Sequence, residues 1–262
     1  MTIHFSKYHG AGNDFIMVDG RTTPKLKAAH IHQMCDRHFG IGADGFIVVE
    51  ENNNADYEMI YFNSDGNIGS MCGNGARCAA VYATEKGITH ALKIKFKAYD
   101  GIHFAELLPG RKVRVSMSDV LHWKTDGGNF IIDSGSPHFV KYVFRTEGLD
   151  VMAEGKKIRY SNEYKKEGIN VNFVSVDKNK IHMRTYERGV EAETLACGTG
   201  TVAVALSHLL KDGIPGNGKY DVEVVAIGGE LKVQAEFLNG VFKNIFLTGP
   251  AEKVFEGSYA IL

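Results

Sequence analysis

The strongest constraint on this chain is a turn that occurs twice. Cys72-Gly73-Asn74-Gly75 and Cys197-Gly198-Thr199-Gly200 lie 125 positions apart, and each opens an Ala-rich stretch with helical spacing. A second pair of segments keeps nearly the same offset: GAGNDFIMVD begins at Gly10 and DSGSPHFVKYVF at Asp133, so Phe139 follows Phe15 by 124. Asn63 stands nine positions before Cys72, and Glu187 ten before Cys197. Such a period exceeds the roughly 20–50 residues of solenoid repeats. It predicts two similar halves, each with one strand-rich wall and one central helix.

Between these landmarks run short β-branched and aromatic segments bounded by Gly, Asn and Asp. They fall at 15–19, 46–50, 57–62, 92–99 and 112–117, then at 129–133, 138–144, 171–176, 180–186, 221–226, 230–237 and 241–247. Turn signals in AYDGIHF, VDKNKIHM and FLNGVF join several of them, which predicts mostly antiparallel sheet. Helical patterns are few: 25–38, 75–86, 148–154 and 200–212. The second and fourth are apolar nearly all round at their starts, as suits a helix enclosed by sheet. Both end in a charged turn and a glycine, Lys86-Gly87 and Asp212-Gly213, a C-cap pattern. The expected class is α/β of the α+β kind: two pseudo-symmetric domains, each a mostly antiparallel sheet wrapped around a central helix.

Composition excludes several functions. Thirty Lys and Arg against thirty-one Asp and Glu leave no electrostatic footprint for nucleic acid or an anionic membrane. No segment approaches the roughly 18 apolar residues that span a bilayer. The start MTIHFSKYHGAGNDF has no basic segment followed by an apolar run, so no signal peptide is expected and the expected compartment is the cytoplasm. Four cysteines, at 35, 72, 78 and 197, lack the spacing of a disulfide framework and are expected reduced. There is no C-x-x-C, H-E-x-x-H or P-loop, so neither a metal nor a nucleotide cofactor is expected.

The repeated turn carries the chemistry. A helix N-terminus presents unpaired N–H groups and the positive end of its dipole. Adjacent glycines let a carboxylate approach that backbone. A cysteine there has its thiolate favoured, its pKa moving from about 8.5 toward neutrality. Two such turns would put one sulfur on each face of a substrate α-carbon. One thiolate then removes the α-proton, the opposite thiol delivers another, and the helix ends stabilise the enediolate. A single cysteine is commonly core filler, and Cys35 and Cys78 are read that way. The duplicated turn is what core filling leaves unexplained.

At these residues the chain resembles diaminopimelate epimerase. The segments carrying the resemblance are KYHGAGNDFIMVDG (7–20), DRHFGIGADGFIVVE (36–50), YFNSDGNIGSMCGNGARC (61–78), GSPHF (135–139), INVNF (169–173), YERGVEAETLACGTGTVA (186–203) and LTGPAEKVFEG (247–257). MCGNGARC together with ERG…ETLACGTG is specific, and Asn74 separates it from the CGHG-type turn of the related proline racemases. The resemblance implies a pyridoxal-independent interconversion of LL- and meso-diaminopimelate, serving lysine and peptidoglycan precursor synthesis, by a homodimer. It also implies that the C-terminal strand returns to the first half. The halves are therefore expected to be 1–117 with 250–262, carrying Cys72, and 118–249, carrying Cys197.

By the same resemblance Cys72 and Cys197 match the catalytic thiols. Gly73-Asn74 and Gly198-Thr199 match the backbone cradle of the reacting carboxylate. Asn13, Asn63, Asn170 and Arg188 match residues that hold the amino group and distal end of the substrate, and His138 and Glu187 match groups that tune the cysteines, Glu187 also lying against substrate. The residue chemistry agrees: a second carboxylate calls for a fork such as Arg188, and asparagines suit a zwitterion. Three positions depart from the family pattern. Ser136 stands where Asn is usual, the stretch from Glu187 to Cys197 carries one extra residue, and Phe255 replaces a Tyr associated with the dimer contact. The rivals are a proline-type racemase, disfavoured by Arg188 and the asparagines; a non-catalytic metabolite binder, which needs no paired thiols; and a redox dithiol protein.

Overall fold

The computed structural model describes residues 1–261. The chain divides into two compact units, Met1–Val115 with the segment from Gly249 onward, and Ser116–Thr248. The first contains β1 (Thr2–Gly10), β2 (Asn13–Asp19), α1 (Ala28–Cys35), β3 (Gly45–Glu50), β4 (Tyr57–Asn63), α2 (Gly73–Glu85), β5 (Lys93–Ala98), β6 (Gly101–Leu108) and β7 (Lys112–Ser116). The second contains β8 (Trp123–Asp126), β9 (Asn129–Asp133), β10 (Pro137–Tyr142), α3 (Val151–Arg159), β11 (Asn170–Asp177), β12 (Lys180–Glu187), β13 (Ala192–Thr194), α4 (Gly198–Leu210), β14 (Gly218–Ala226), β15 (Gly229–Leu238) and β16 (Val241–Pro250). The last strand, β17 (Glu252–Ala260), belongs to the first unit again.

The repeat is one of topology. In the first unit β1 and β2 pair antiparallel, α1 crosses over, and β3 lies parallel to β2. In the second, β9, β10, α3 and β11 do the same. Antiparallel pairs β3–β4 and β11–β12 follow. Next comes the cysteine helix, α2 or α4, after which β5 pairs parallel with β4 and β14 parallel with β12. Meanders β5–β6–β7 and β14–β15–β16 complete the units. The leading strands also correspond, because β17 pairs antiparallel with β1 as β8 does with β9. In each of these parallel pairs a helix lies in the crossover, as strand geometry requires. The architecture is α+β, sheet-rich, with few helices and two repeated domains.

The apolar runs are buried on both faces. Phe15 to Val18 are all below 1% exposed, which is why FIMV reads without alternation. Ile16, Val18 and Phe46 pack with Ile31 and Met34 of α1, while Phe15 and Ile47 face Gly75 of α2. The second unit repeats this: Phe139, Val171, Phe173 and Tyr186 form a cluster with Val151 of α3. Both cysteine helices are enclosed, α2 touching β1, β2, β3, β4, β6 and β17, and α4 touching β9, β10, β11, β12, β14 and β15. They end where expected, Gly87 at φ +64 and Gly213 at φ +122.

Five strands escape the pattern reading: β1, β6, β8, β13 and β17. Strand β1 carries His, Ser and Lys at buried or half-buried positions, so it lacks an apolar rhythm. Strand β17 is mostly exposed and interrupted by charge and Gly257. Helix α3 continues to Arg159, past the expected 154, because Gly155 lets it lie against Tyr186; an added Cβ there would sit 2.4 Å from the Tyr186 Cβ. No helix among the described residues is long and apolar enough to cross a membrane.

Candidate active site

In the first unit the site grows from the β1–β2 hairpin and the start of α2. Ala11 and Gly12 form the two-residue turn, both with positive φ (54° and 84°), and Gly10 pairs with Asn13 across it. Gly10 passes so close to α2 that a Cβ would lie 2.9 Å from the Asn74 carbonyl oxygen. Asn13 is thereby set beside the helix start. Cys72 is the N-cap residue: Gly75 N–H donates to its sulfur at 3.5 Å, and the thiol points to Asn13 Oδ1 at 3.8 Å.

A directional chain fixes these amides. Arg77 Nη2 donates to Asn74 Oδ1 (2.8 Å), Asn74 Nδ2 to Asn13 Oδ1 (3.2 Å), and Asn13 Nδ2 to Asp44 Oδ2 (2.8 Å). Beyond it Arg37 bridges Asp44 and Asp14, and Lys7 pairs with Asp14 at 2.7 Å. Burial pushes the Asp14 carboxyl up, but hydrogen bonds and charge from Arg37 and Lys7 outweigh it and hold the group well below the carboxylate range. Arg77 is fully buried and also donates to the carbonyls of Gly73 and Pro250. Burial lowers its pKa, whereas negative charge at Cys78 or Cys72 would raise it, so its cation favours a thiolate nearby. Asn63 ends β4, exposed, its N–H donating to the Asn67 carbonyl.

The second unit carries its own group of residues on β10, β11, the β12–β13 hairpin and α4. Cys197 is the N-cap of α4, 7% exposed, with Thr199 Oγ1 at 3.5 Å from its sulfur. Thr199 Oγ1 lies 2.8 Å from His138 Nε2, and Ser134 Oγ donates to the Thr199 carbonyl. His138 is wholly buried; burial first, and the charge of Arg188 second, push its pKa down to about 3. The ring is neutral at ordinary pH and reaches Cys197 through Thr199.

Asn170 is held on every side. Its Nδ2 donates to Ser136 Oγ (2.6 Å) and the Pro137 carbonyl (3.1 Å), and its Oδ1 accepts from the Arg188 N–H (2.9 Å). Both amide hydrogens are engaged, so what Asn170 retains for a ligand is an acceptor lone pair, suited to an ammonium group. Ser136 therefore seats Asn170. Half-buried Arg188 rests on Gly168, with Nη1 donating to the Glu167 carbonyl at 3.2 Å. Glu187 Oε2 accepts from Thr194 Oγ1 at 2.8 Å. Strands β12 and β13 form a hairpin whose turn has Gly189 and Glu191 at positive φ and Glu191 N–H donating to the Glu187 carbonyl.

The predicted residues thus gather in two groups: Asn13, Cys72, Gly73 and Asn74 in the first unit, and His138, Asn170, Glu187, Arg188, Cys197, Gly198 and Thr199 in the second. Asp44, Arg77, Ser134 and Asn172 also belong to these networks and were not read from the sequence. All four lie within the repeated or family-like segments of the sequence, but no local spacing marks their partners. Cys35 and Cys78 are buried, and burial pushes both thiols up to about 12, as core cysteines behave.

Solved structures share the two-unit fold. A PhzF-family phenazine biosynthesis protein of Bacillus anthracis superposes with a TM-score of 0.80 at 15% identity, covering 100% of both chains. A hydroxyproline epimerase of Agrobacterium vitis gives 0.71 at 15% identity, covering 98% of this chain and 92% of that one. These likenesses define the fold class of the chain, the sheet-rich α+β fold that those two structures have. The diaminopimelate epimerase family model matches residues 5–123 and 130–254. Diaminopimelate epimerases of Flavobacterium psychrophilum and Aquifex aeolicus are 43% and 39% identical, over 95% and 97% of this chain and 97% of each relative. The chain belongs to the diaminopimelate epimerase family and is an isomerase.

Proposed function

We propose that this enzyme interconverts LL- and meso-diaminopimelate with two thiols and no pyridoxal or metal, in the supply of lysine and peptidoglycan precursors. The carrying observation is that each repeated unit caps its enclosed helix with a cysteine followed by Gly-x-Gly, in a chain of this family. Cys72 and Cys197 serve opposite faces of one α-carbon. The N–H groups of Gly73-Asn74 and Gly198-Thr199 receive the reacting carboxylate, where developing enediolate charge is stabilised. Asn13, Asn63, Asn170 and Glu187 take the ammonium and polar contacts, and Arg188 takes the distal carboxylate in a bidentate pair. His138 and Glu187 adjust the thiols.

In each turnover the thiolate accepts the α-proton and the opposite thiol donates its own, so the enzyme ends with the protonation states exchanged. The working form is a cytoplasmic homodimer, with Phe255 keeping the ring of the usual Tyr at the dimer contact. The test is incubation with LL-diaminopimelate in deuterated water with a chelator present. Solvent deuterium at the α-carbon and meso product are expected. Loss of activity with the chelator, restored by a metal, refutes the cofactor-free reading.

A further inference from the structure

Cys197 lies at the end of a hydrogen-bond chain whose direction is set by a residue outside the proposed catalytic set. Asn172 follows Asn170 by two positions on β11, so both side chains lie on one face of the strand. Asn172 is fully buried and touches three partners. The Phe139 carbonyl, 3.3 Å from Nδ2, can only accept, which places the NH2 end of the amide there. Thr185 Oγ1 donates to Oδ1 at 2.9 Å, which is consistent with the same orientation.

The second hydrogen on Nδ2 points at His138 Nδ1, 3.0 Å away. Two donors cannot face each other, so Nδ1 carries the lone pair. A neutral imidazole must then hold its proton on Nε2. That N–H meets Thr199 Oγ1 at 2.8 Å, with Ser136 Oγ at 3.3 Å. A Thr199 hydroxyl that accepts from His138 has its own hydrogen available for the Cys197 sulfur, 3.5 Å distant. We propose that Asn172 is a positioning residue: it locks His138 as the Nε2–H tautomer, so that Thr199 presents a donor to the Cys197 thiolate. The chain runs Thr185, Asn172, His138, Thr199, Cys197, every hydrogen pointing toward the sulfur after the amide. Gly200 keeps room for it, since a Cβ there would lie 2.6 Å from Asn172 Oδ1 and 3.3 Å from His138 Cε1.

The tautomer stands on geometry alone; its use in catalysis rests on the two-thiol reading above. The two are separated by nitrogen NMR of 15N-histidine-labelled enzyme without substrate, with the His138 signals assigned by their loss in His138→Gln. Between pH 6 and 9 wild-type His138 should show a proton on Nε2 and none on Nδ1. In Asn172→Asp the carboxylate can only accept, and a proton should appear on Nδ1. The pH midpoint of Cys197 alkylation, read by mass spectrometry of its peptide, should move in the same variant by about one unit, the scale of one hydrogen bond to a charged group. Cys72 alkylation should not move. A wild-type proton on Nδ1, or an unchanged tautomer in Asn172→Asp, overturns the assignment of Asn172. A changed tautomer with an unmoved Cys197 midpoint overturns the link to the thiol.

Discussion

Gly200→Ala tests the packing around Asn172 by a change that helix propensity alone would favour. In a helix, alanine in place of glycine stabilises by roughly 0.5–1 kcal/mol. Here the new Cβ would sit 2.6 Å from Asn172 Oδ1, and 3.3 Å from both Cys197 Cβ and His138 Cε1. Oδ1 must retreat, but Thr185, His138 and Phe139 hold the amide at 2.9, 3.0 and 3.3 Å. Breaking the Thr185 bond leaves a buried hydroxyl unsatisfied, a penalty of about 1–3 kcal/mol, and distorting the His138 bond adds about 1 kcal/mol. Set against the propensity gain, the net loss is about 1–3 kcal/mol, the usual range for overpacking. Urea denaturation of the wild type, Gly200→Ala, Asn172→Ala and the double variant measures it. With Asn172 truncated the clash partner is gone, so Gly200→Ala should then be neutral or stabilising, and the cycle should show a coupling of about 2 kcal/mol. Stabilisation by Gly200→Ala in the wild-type background, or strict additivity, refutes the reasoning. Gly75→Ala should be milder, because the atom it meets at 2.8 Å is the terminal Cδ1 of Ile47.

Three further outcomes are expected. Cys72→Ser and Cys197→Ser should each lose most epimerisation yet keep α-proton exchange with opposite preferences for LL- and meso-substrate; one variant dead with both isomers and the other near normal would sink the symmetric pair. The pKa of His138 falls on folding from an ordinary 6.5 to about 3, so the unfolded chain binds its proton first and stability is lost as pH drops below 6.5. By pH 5 that loss is about 2 kcal/mol, and His138→Gln should shrink the difference in denaturation free energy between pH 8 and pH 5 by that amount. Arg188→Lys removes the planar fork and should lower kcat/KM by about 1.5–3 kcal/mol of transition-state binding, and an unchanged value rejects the distal-carboxylate role.

The repeat, the enclosed helices and the family were legible in the residues because they depend on local chemistry. A Cys-Gly-x-Gly turn needs only its own neighbours to open a helix, and FIMV or FIVV needs only its composition to report burial on both faces. Strands whose polar residues are buried, such as β1 with Lys7 and Ser6, hid from that reading. The networks behind the two thiols were hidden as well. Asn13 and Asp44 are 31 residues apart, and His138 and Asn172 are 34 apart. What joins them is the register of neighbouring strands, Phe15 opposite Gly45 in one unit and Val140 opposite Asn172 in the other. Periodicity records which face of a strand is apolar, whereas a hydrogen bond depends on which residue the adjacent strand brings alongside. The tertiary structure therefore decided which way each amide points, and with it which atom each cysteine meets.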